Sequence, residues 1–495
     1  MFGLVWNEML KDWRVISSLF NIWARHEWLF LQAMKKWTAL FREALKGEDQ
    51  DYTTGSIRRA IVLLSIPMIL EMIMESLFAV VDIFFVGKLG VAAVATVGLT
   101  ESVITIVYSI SIGLSMAATA LVARRIGEKN PKAAADTAFQ AIALSSILAI
   151  LLGIVGFWQA ENLLRLMGAD EEVISQGAGY TKIIFLGNLP IMLLFLINGI
   201  FRGAGKPAIA MRSLWLANGI NIVLDPLLIF GLGEFIPALG IEGAAWATTG
   251  GRTIGVLYQL YHLFGKDSQM RLTASNMVLE AKTVLTIVKV GAGGMGQFLI
   301  ESASWIALTR IVAGSGSIAV AGWTVAIRIV IFALLPAMGL ANAATTLVGQ
   351  NLGAGHPERA EASVWKAALY NAIYLGAASI FFIVLGNPII GLFNNDPGVL
   401  SIGREALFVL CLGYVFFAYG MVIAQSFNGA GDTFTPTLIN VVMFWFFEIP
   451  LAWLLAIKLN WGASGVFWSV AFAHSLHALV SIYIFRLGRW KKVKV

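Results

Sequence analysis

Twelve long apolar runs, separated by short polar stretches, constrain this chain more than any other feature. They lie near residues 61–87, 93–122, 134–158, 177–200, 209–232, 238–264, 283–311, 318–347, 362–386, 402–427, 435–457 and 462–486. A helix needs about 20 apolar residues to cross the hydrocarbon core of a bilayer, where every backbone donor must be satisfied within the segment. Composition points the same way: 58% of the 495 residues are hydrophobic and 13% charged, against about a quarter charged in soluble domains. The expected fold is an all-α polytopic membrane protein with twelve transmembrane helices.

The net charge of +6 does not indicate nucleic acid, because the basic residues sit in short loops and at the C-terminus. Arg124, Arg125, Lys129, Lys132, Arg202, Lys206, Lys266, Arg271 and Arg359 fall in alternate loops, and Arg489, Lys491, Lys492 and Lys494 in the tail. The opposite loops hold chiefly Lys88, Arg165, Arg404 and Lys458. By the positive-inside rule both termini are expected in the cytoplasm, with the chain multi-pass in the cell (inner) membrane. A lone cysteine, Cys411, has neither the number nor the spacing for a disulfide or a metal cluster.

Residues 1–55 differ in kind. Trp6, Trp13, Trp23, Trp28 and Trp37 are scattered among Lys11, Arg14, Arg25, Lys35, Lys36 and Arg42, with no long uncharged core. This mixture suits amphipathic helices in the headgroup region better than a signal peptide. A soluble cap or partner-binding arm is the other reading.

The chain also repeats itself. At an offset of 226 residues, GLSMAATALV (Gly113–Val122) meets GLANAATTLV (Gly339–Val348) with seven identities in ten. The same offset pairs Phe201, Gly203, Ala204 and Gly205 with Phe427, Gly429, Ala430 and Gly431, and Glu75 with Glu301. After the fifth helix of each half the offset falls to 222, where Gly240 and Gly243 meet Gly462 and Gly465. An even number of spans per copy inserts both copies in the same orientation, as two parallel six-helix repeats with a cleft between them that can open to either side.

Charged groups in the apolar slab are costly and usually face a cavity or a partner. The first span carries Glu71, Glu75 and Asp82, the last two sharing one face two turns apart. Asn221 and Asp225 share a face of the fifth span, and Thr248 lies in the sixth. Asp82, Asn221, Asp225 and Thr248 all count into the outer half of the membrane. Two carboxylates, an amide and a hydroxyl suit Na+, by analogy with other hard cations, or the carboxylates can share a proton. Both ions remain open. Glu301, near the middle of the seventh span, is expected to face the cavity, with Gln297 one turn before it, and Pro67 permits a kink in the first span. At the common offset Asp82, Asn221 and Asp225 fall opposite Leu308, Phe447 and Leu451. The ion cluster is therefore expected in the first half alone.

Enzyme patterns are missing from the sequence. Gly291–Gly296 (GAGGMG) fits G-x-G-x-x-G formally but opens a membrane span without a βαβ unit, so it reads as helix packing. No phosphate-binding loop G-x-x-x-x-G-K-[ST] is present, which speaks against ATP-driven transport within this chain. His474 and His477 are three apart on the last span and read as packed or interfacial groups rather than metal ligands.

Several segments, in order, are similar to the multidrug and toxic compound extrusion (MATE) transporters. They are LSIPMI around Pro67, VVDIFFVGKLGVAAVATVG (Val80–Gly98), FRGAGKP (Phe201–Pro207), NIVLDP (Asn221–Pro226), GIEGAAWAT (Gly240–Thr248) and FNGAGDTFTP (Phe427–Pro436). The resemblance covers residues 56–490 and leaves out the first 55. It implies a V-shaped pair of lobes, residues 56–265 and 283–495, joined by a cytoplasmic linker at 266–282. It implies a monomer that exports organic cations or amphipathic drugs in exchange for Na+ or H+, with no cofactor and no catalytic residues. By motif, Asp82, Asn221, Asp225 and Thr248 match the N-lobe cation cluster, and Glu301 matches the acid of the Na+-linked branch. Glu301, Gln297 and Glu75 are thus expected at a substrate or C-lobe cation site. That branch also has an aspartate on the tenth helix, but Val415–Ala424 contains no acid. Coupling is therefore expected through the N-lobe. A flippase for lipid-linked sugars or other amphipathic lipids is the alternative, and would require a strongly basic cleft.

Overall fold

The computed structural model describes residues 32, 34–265, 270–273, 276 and 278–495. Trp6, Trp13, Trp23 and Trp28 of the interfacial segment, and Lys266 with part of the 266–282 linker, lie outside the described residues. The first half of the chain forms α1 (Ile57–Gly87), α2 (Val91–Gly127), α3 (Pro131–Leu166), α4 (Glu171–Leu186), α5 (Asn188–Gly203), α6 (Pro207–Phe230) and α7 (Ile241–Phe264). The second forms α8 (Ala281–Ala313), α9 (Ser317–Gly353), α10 (Pro357–Gly391), α11 (Pro397–Leu412), α12 (Tyr414–Ala430), α13 (Phe434–Lys458) and α14 (Ala463–Arg486). Eight of these helices are long and apolar enough to cross a membrane, and the bent pairs α4–α5 (45°) and α11–α12 (56°) bring the number to ten. With α1 and α7 the described chain contains twelve rods, matching the twelve apolar runs.

The repeat extends to the punctuation of the helices. α3 and α10 both begin at proline, Pro131 and Pro357, where the missing N–H is one that no helix would bond. Asp170 caps α4 by accepting from the Val173 N–H at 2.8 Å, and Asp396 caps α11 by accepting from Gly398 and Val399 at 2.8 and 3.0 Å. The two bends fall at Gly187 and Gly413, again 226 apart. Gly240 and Gly462, which precede α7 and α14, share positive φ values of 55° and 58°, a backbone that side chains rarely adopt. Their match places α7 and α14 in register at the 222-residue offset.

The halves interlock through the most strongly repeated segment. α1 packs along α9, α8 packs along α2, and α2 crosses α9. A Cβ at Gly113 would stand 2.7 Å from the Met295 nitrogen, and one at Gly339 would stand 2.7 Å from the Ile69 nitrogen. GLxxAATxLV is thus repeated because each copy supplies the same close helix crossing to the other half. The buried clusters follow this exchange: Ile61, Leu64 and Met68 of α1 pack with Leu347, Val364 and Ile423 of the second half.

Both described ends of the chain lie at one face. Residues 34–46 are helical, and Trp37 on that helix is 60% exposed. The following stretch is tied across the two halves. Lys206 of the first half pairs with Asp49 at 2.6 Å, and Arg212 donates to the carbonyls of Leu45 and Lys46. Arg359 of the second half donates to the carbonyls of Gly55, Thr54 and Tyr52 at 2.9, 2.6 and 3.3 Å. The Thr53 hydroxyl and N–H beside Asp51 hold its carboxyl below the usual carboxylate range. At the other end of the chain Arg124 donates to the Val493 carbonyl at 2.9 Å, and Trp490 is fully buried against Phe485. Hydrogen bonds to charged groups contribute about 1.5–3 kcal/mol each. Arg359→Ala is accordingly expected to raise amide exchange at residues 52–55 about tenfold or more. Unchanged exchange there would show that Arg359 does not hold this segment.

Candidate functional site

The structure brings three of the four first-half ion residues into direct contact. Asn221 and Asp225 lie one turn apart on α6, and Thr248 faces them from α7. The Asn221 amide donates to Asp225 Oδ1 at 3.3 Å and to Thr248 Oγ1 at 3.2 Å. Asn221 Oδ1 and Asp225 Oδ2 are buried without a hydrogen-bond donor among the described residues. Asp82, half-buried on α1, lies within electrostatic range of Asp225. Pro226 does not end α6, which continues to Phe230, so Asp225 is no helix cap. A buried carboxylate oxygen left without a donor is unfavourable unless a cation or proton compensates it. The donor set is all oxygen, which suits a hard monovalent cation. Among the described residues no three His, Cys, Asp or Glu side chains converge as a transition-metal site requires.

The remaining acids of α1 have permanent counter-charges. Glu71 accepts from Arg202 at 3.1 Å and from Asn198 at 3.1 Å. Arg202 belongs to the last turn of α5, where its side chain is only 14% exposed, so it is a buried partner and not the loop charge that orientation counting makes of it. Glu75 accepts from Asn218 at 3.3 Å and Arg252 at 3.5 Å. Arg252 is fully enclosed on α7, over the rings of Phe78 and Phe195 at 5.3 and 5.5 Å. Glu75 is therefore neutralised in place, and Asp82 and Asp225 are the first-half carboxylates of the proposed site without a guanidinium bonded to them among the described residues. Pro67 is buried within α1, and the helix runs through it.

A cavity of about 700 Å³ lies between the two halves, lined mostly by the second. Glu301 is on its wall, with Trp305, Trp323, Phe417, Phe444 and Met421. Carboxylate and aromatic faces are the groups that recognise an organic cation. Gln297 also borders it, but its amide is engaged: it donates to Asn428 Oδ1 and to the Thr433 carbonyl, both at 3.0 Å, and accepts from Asn428 Nδ2 at 3.1 Å. This exchange ties α8 to α12 and to the turn before α13.

The acids of the second half are not confined to Glu301. Glu448, on α13, is 1% exposed and accepts from the Ser304 hydroxyl at 2.9 Å. Its other oxygen lies 3.6 Å from His474 Nε2 on α14. His477 pairs with Asn440 at 3.0 Å. Laying Leu308, Phe447 and Leu451 against the first-half residues passes over Glu448. Residues Val441–Glu448 form π-helical turns, whose wider spacing changes which side of the rod each residue occupies. At the 226- and 222-residue offsets Glu448 falls opposite Ile222 and Pro226, so the repeat does not point to it. The signal available in sequence was a lone glutamate inside VVMFWFFEIP.

Comparison with known proteins agrees with this architecture. The MatE family model matches the chain twice, over residues 67–227 and 295–454. The probable multidrug resistance protein NorM of Thermotoga maritima is 25% identical over 454 residues, covering 92% of this chain and 97% of its own. The FAD transporter of Shewanella oneidensis is 27% identical over 399 residues, covering 81% of this chain and 88% of its own. A solved structure described as the outward-facing conformation of a multidrug resistance MATE family transporter superposes with a TM-score of 0.83 at 27% identity, covering 89% of this chain and 98% of that one.

Proposed function

The chain belongs to the MatE family of membrane transporters, and on that premise we propose that it is a secondary antiporter exporting organic cations or amphipathic drugs in exchange for Na+ or H+. One observation carries this reading: the buried oxygens of Asn221 and Asp225 without a donor among the described residues, with Thr248 and Asp82 beside them, while the other acids of α1, Glu71 and Glu75, are paired with arginine. Such a cluster binds a mobile cation because no fixed one neutralises it. Antiport follows when that ion and the drug favour opposite conformations.

At the face carrying both chain ends α2 and α9 pack backbone to backbone at Gly127 and Gly353. The cavity's lining contains Glu301 and aromatic rings and no lysine or arginine among the described residues. That chemistry supports cations over a lipid-linked diphosphate or an anionic dinucleotide.

The test is efflux of a fluorescent organic cation from proteoliposomes under Na+ and proton gradients imposed separately. Acceleration by at least one gradient is expected. Efflux indifferent to both would remove secondary coupling.

A further inference from the structure

The second half carries a buried acid–base pair that the ion cluster of the first half does not use. We propose that Glu448, His474 and Ser304 form a separate proton-binding site beside the aromatic cavity, whose proton is released when an organic cation binds there. This rests on the transport reading only in taking the cavity as the substrate site.

The argument begins with what neutralises each buried acid. Removing one partner of a buried ion pair is strongly destabilising, because a buried charge is left uncompensated. Glu71 has Arg202 and Glu75 has Arg252, guanidinium groups that never lose their protons. At the 222-residue offset that registers α7 with α14, the position of Arg252 is taken by His474. A permanent positive charge in one half is replaced by a conditional one in the other. Glu448 has no lysine or arginine bonded to it among the described residues, so its compensating charge has to be mobile.

The donor set then distinguishes the mobile ion. Glu448 Oε1 has no hydrogen-bond donor among the described residues, Oε2 is held by Ser304, and the facing atom is the imidazole Nε2 at 3.6 Å. His474 is stacked against Phe417 at 4.3 Å and tilted against Phe444 and Trp305 at 4.9 and 6.3 Å. Hard cations take about six or more oxygen ligands, and this enclosure of rings does not supply them. A proton needs one oxygen or nitrogen. The same rings give an imidazolium cation–π partners.

The titratable groups facing Glu448 are Glu301 on α8 and His474 on α14, with His477 one turn further along. α9 and α12 contribute Trp323 and Phe417 to the neighbouring cavity wall. In the drug-free state hydronium in the cavity gives its proton to the Glu448–His474 pair and leaves as water. An organic cation entering the cavity supplies the positive charge instead, and the proton returns to solvent. Charge in the second half is conserved by the exchange.

The probe is tetraphenylphosphonium, with the purified full-length protein in detergent. Calorimetric titrations in buffers of different ionisation enthalpy count the protons released. Wild-type protein is expected to release about one proton per cation bound, and its affinity to weaken up to tenfold per pH unit on acidification, by reciprocity of linked binding. Glu448→Gln and His474→Asn are expected to abolish that release. Glu301→Gln is expected to weaken binding while retaining it. Absence of proton release from the wild type, or undiminished release from Glu448→Gln, overturns the proposal. Should Glu448→Gln fail to fold, Ser304→Ala provides the test. Loss of its donated hydrogen bond disfavours the carboxylate and should move the pH at which release occurs upward, and an unmoved profile overturns the site. Proton release on cation binding is counted in detergent without a gradient, whereas coupling through the first half is read only under one. A failure of gradient coupling through the first half is therefore distinguishable from a failure here.

Discussion

Asp225→Asn is expected to abolish gradient-driven efflux in proteoliposomes, with a loss of about 100-fold, the upper part of the range that coupling free energies between two sites produce. Asparagine keeps the size of the side chain and can still receive the Asn221 amide bond of 3.3 Å. It removes the buried carboxylate charge, and with it the reason for a cation to bind. Asp82→Asn is expected to act in the same direction, because Asp82 shares the electrostatic environment of Asp225 from a different helix. Binding of an organic cation in the second-half cavity, measured without a gradient, should survive both changes. Undiminished gradient-driven transport by either variant would rule out coupling through this cluster.

Gly353→Leu is expected to destabilise the closed crossing of α2 and α9 at the face where both chain ends lie. A Cβ at Gly353 would overlap the Arg124 carbonyl, and at the equivalent Gly127 it would overlap the Gln350 carbonyl. Both obstacles are backbone atoms, which cannot rotate away. Overpacking of this kind costs about 1–3 kcal/mol and occasionally more. Beside the crossing α9 is also tied to α5, by Gln350 donating to the Gly203 carbonyl at 3.0 Å and Thr346 donating to the Arg202 carbonyl at 2.9 Å. Cysteines placed on α2 and α9 near this crossing should label severalfold faster from the terminal face in the Gly353→Leu protein. Labelling at the wild-type rate would mean that the crossing is not the closure on that side. Gly219, with nothing within 4 Å of its added Cβ, is the control position.

Much of the fold was legible because lipid imposes a simple rule on sequence. Each rod had to be about 20 apolar residues long. The repeat was legible because Gly113 and Gly339 answer to the same steric demand, as do the caps Asp170 and Asp396. The placement of Asn221, Asp225 and Thr248 together was foreseeable from helical spacing and membrane depth, since two of the three share one helix face. The bend angles at Gly187 and Gly413 were not, because a glycine permits a bend without setting it.

By itself, then, the sequence determined the number and order of the spanning helices, their duplication, and which of them carry intramembrane acids. Periodicity reports which side chains turn away from lipid. It is silent about what they turn toward. Only the tertiary structure decided that Glu71 meets Arg202, 131 residues away, and that Glu75 meets Arg252, 177 residues away. It also decided that Glu448 faces His474, through π-helical turns that shift its side of α13. The physical reason is the same in each case. A buried charge is governed by the partner that helix crossing brings within a few ångströms, and crossing geometry is a property of two helices together.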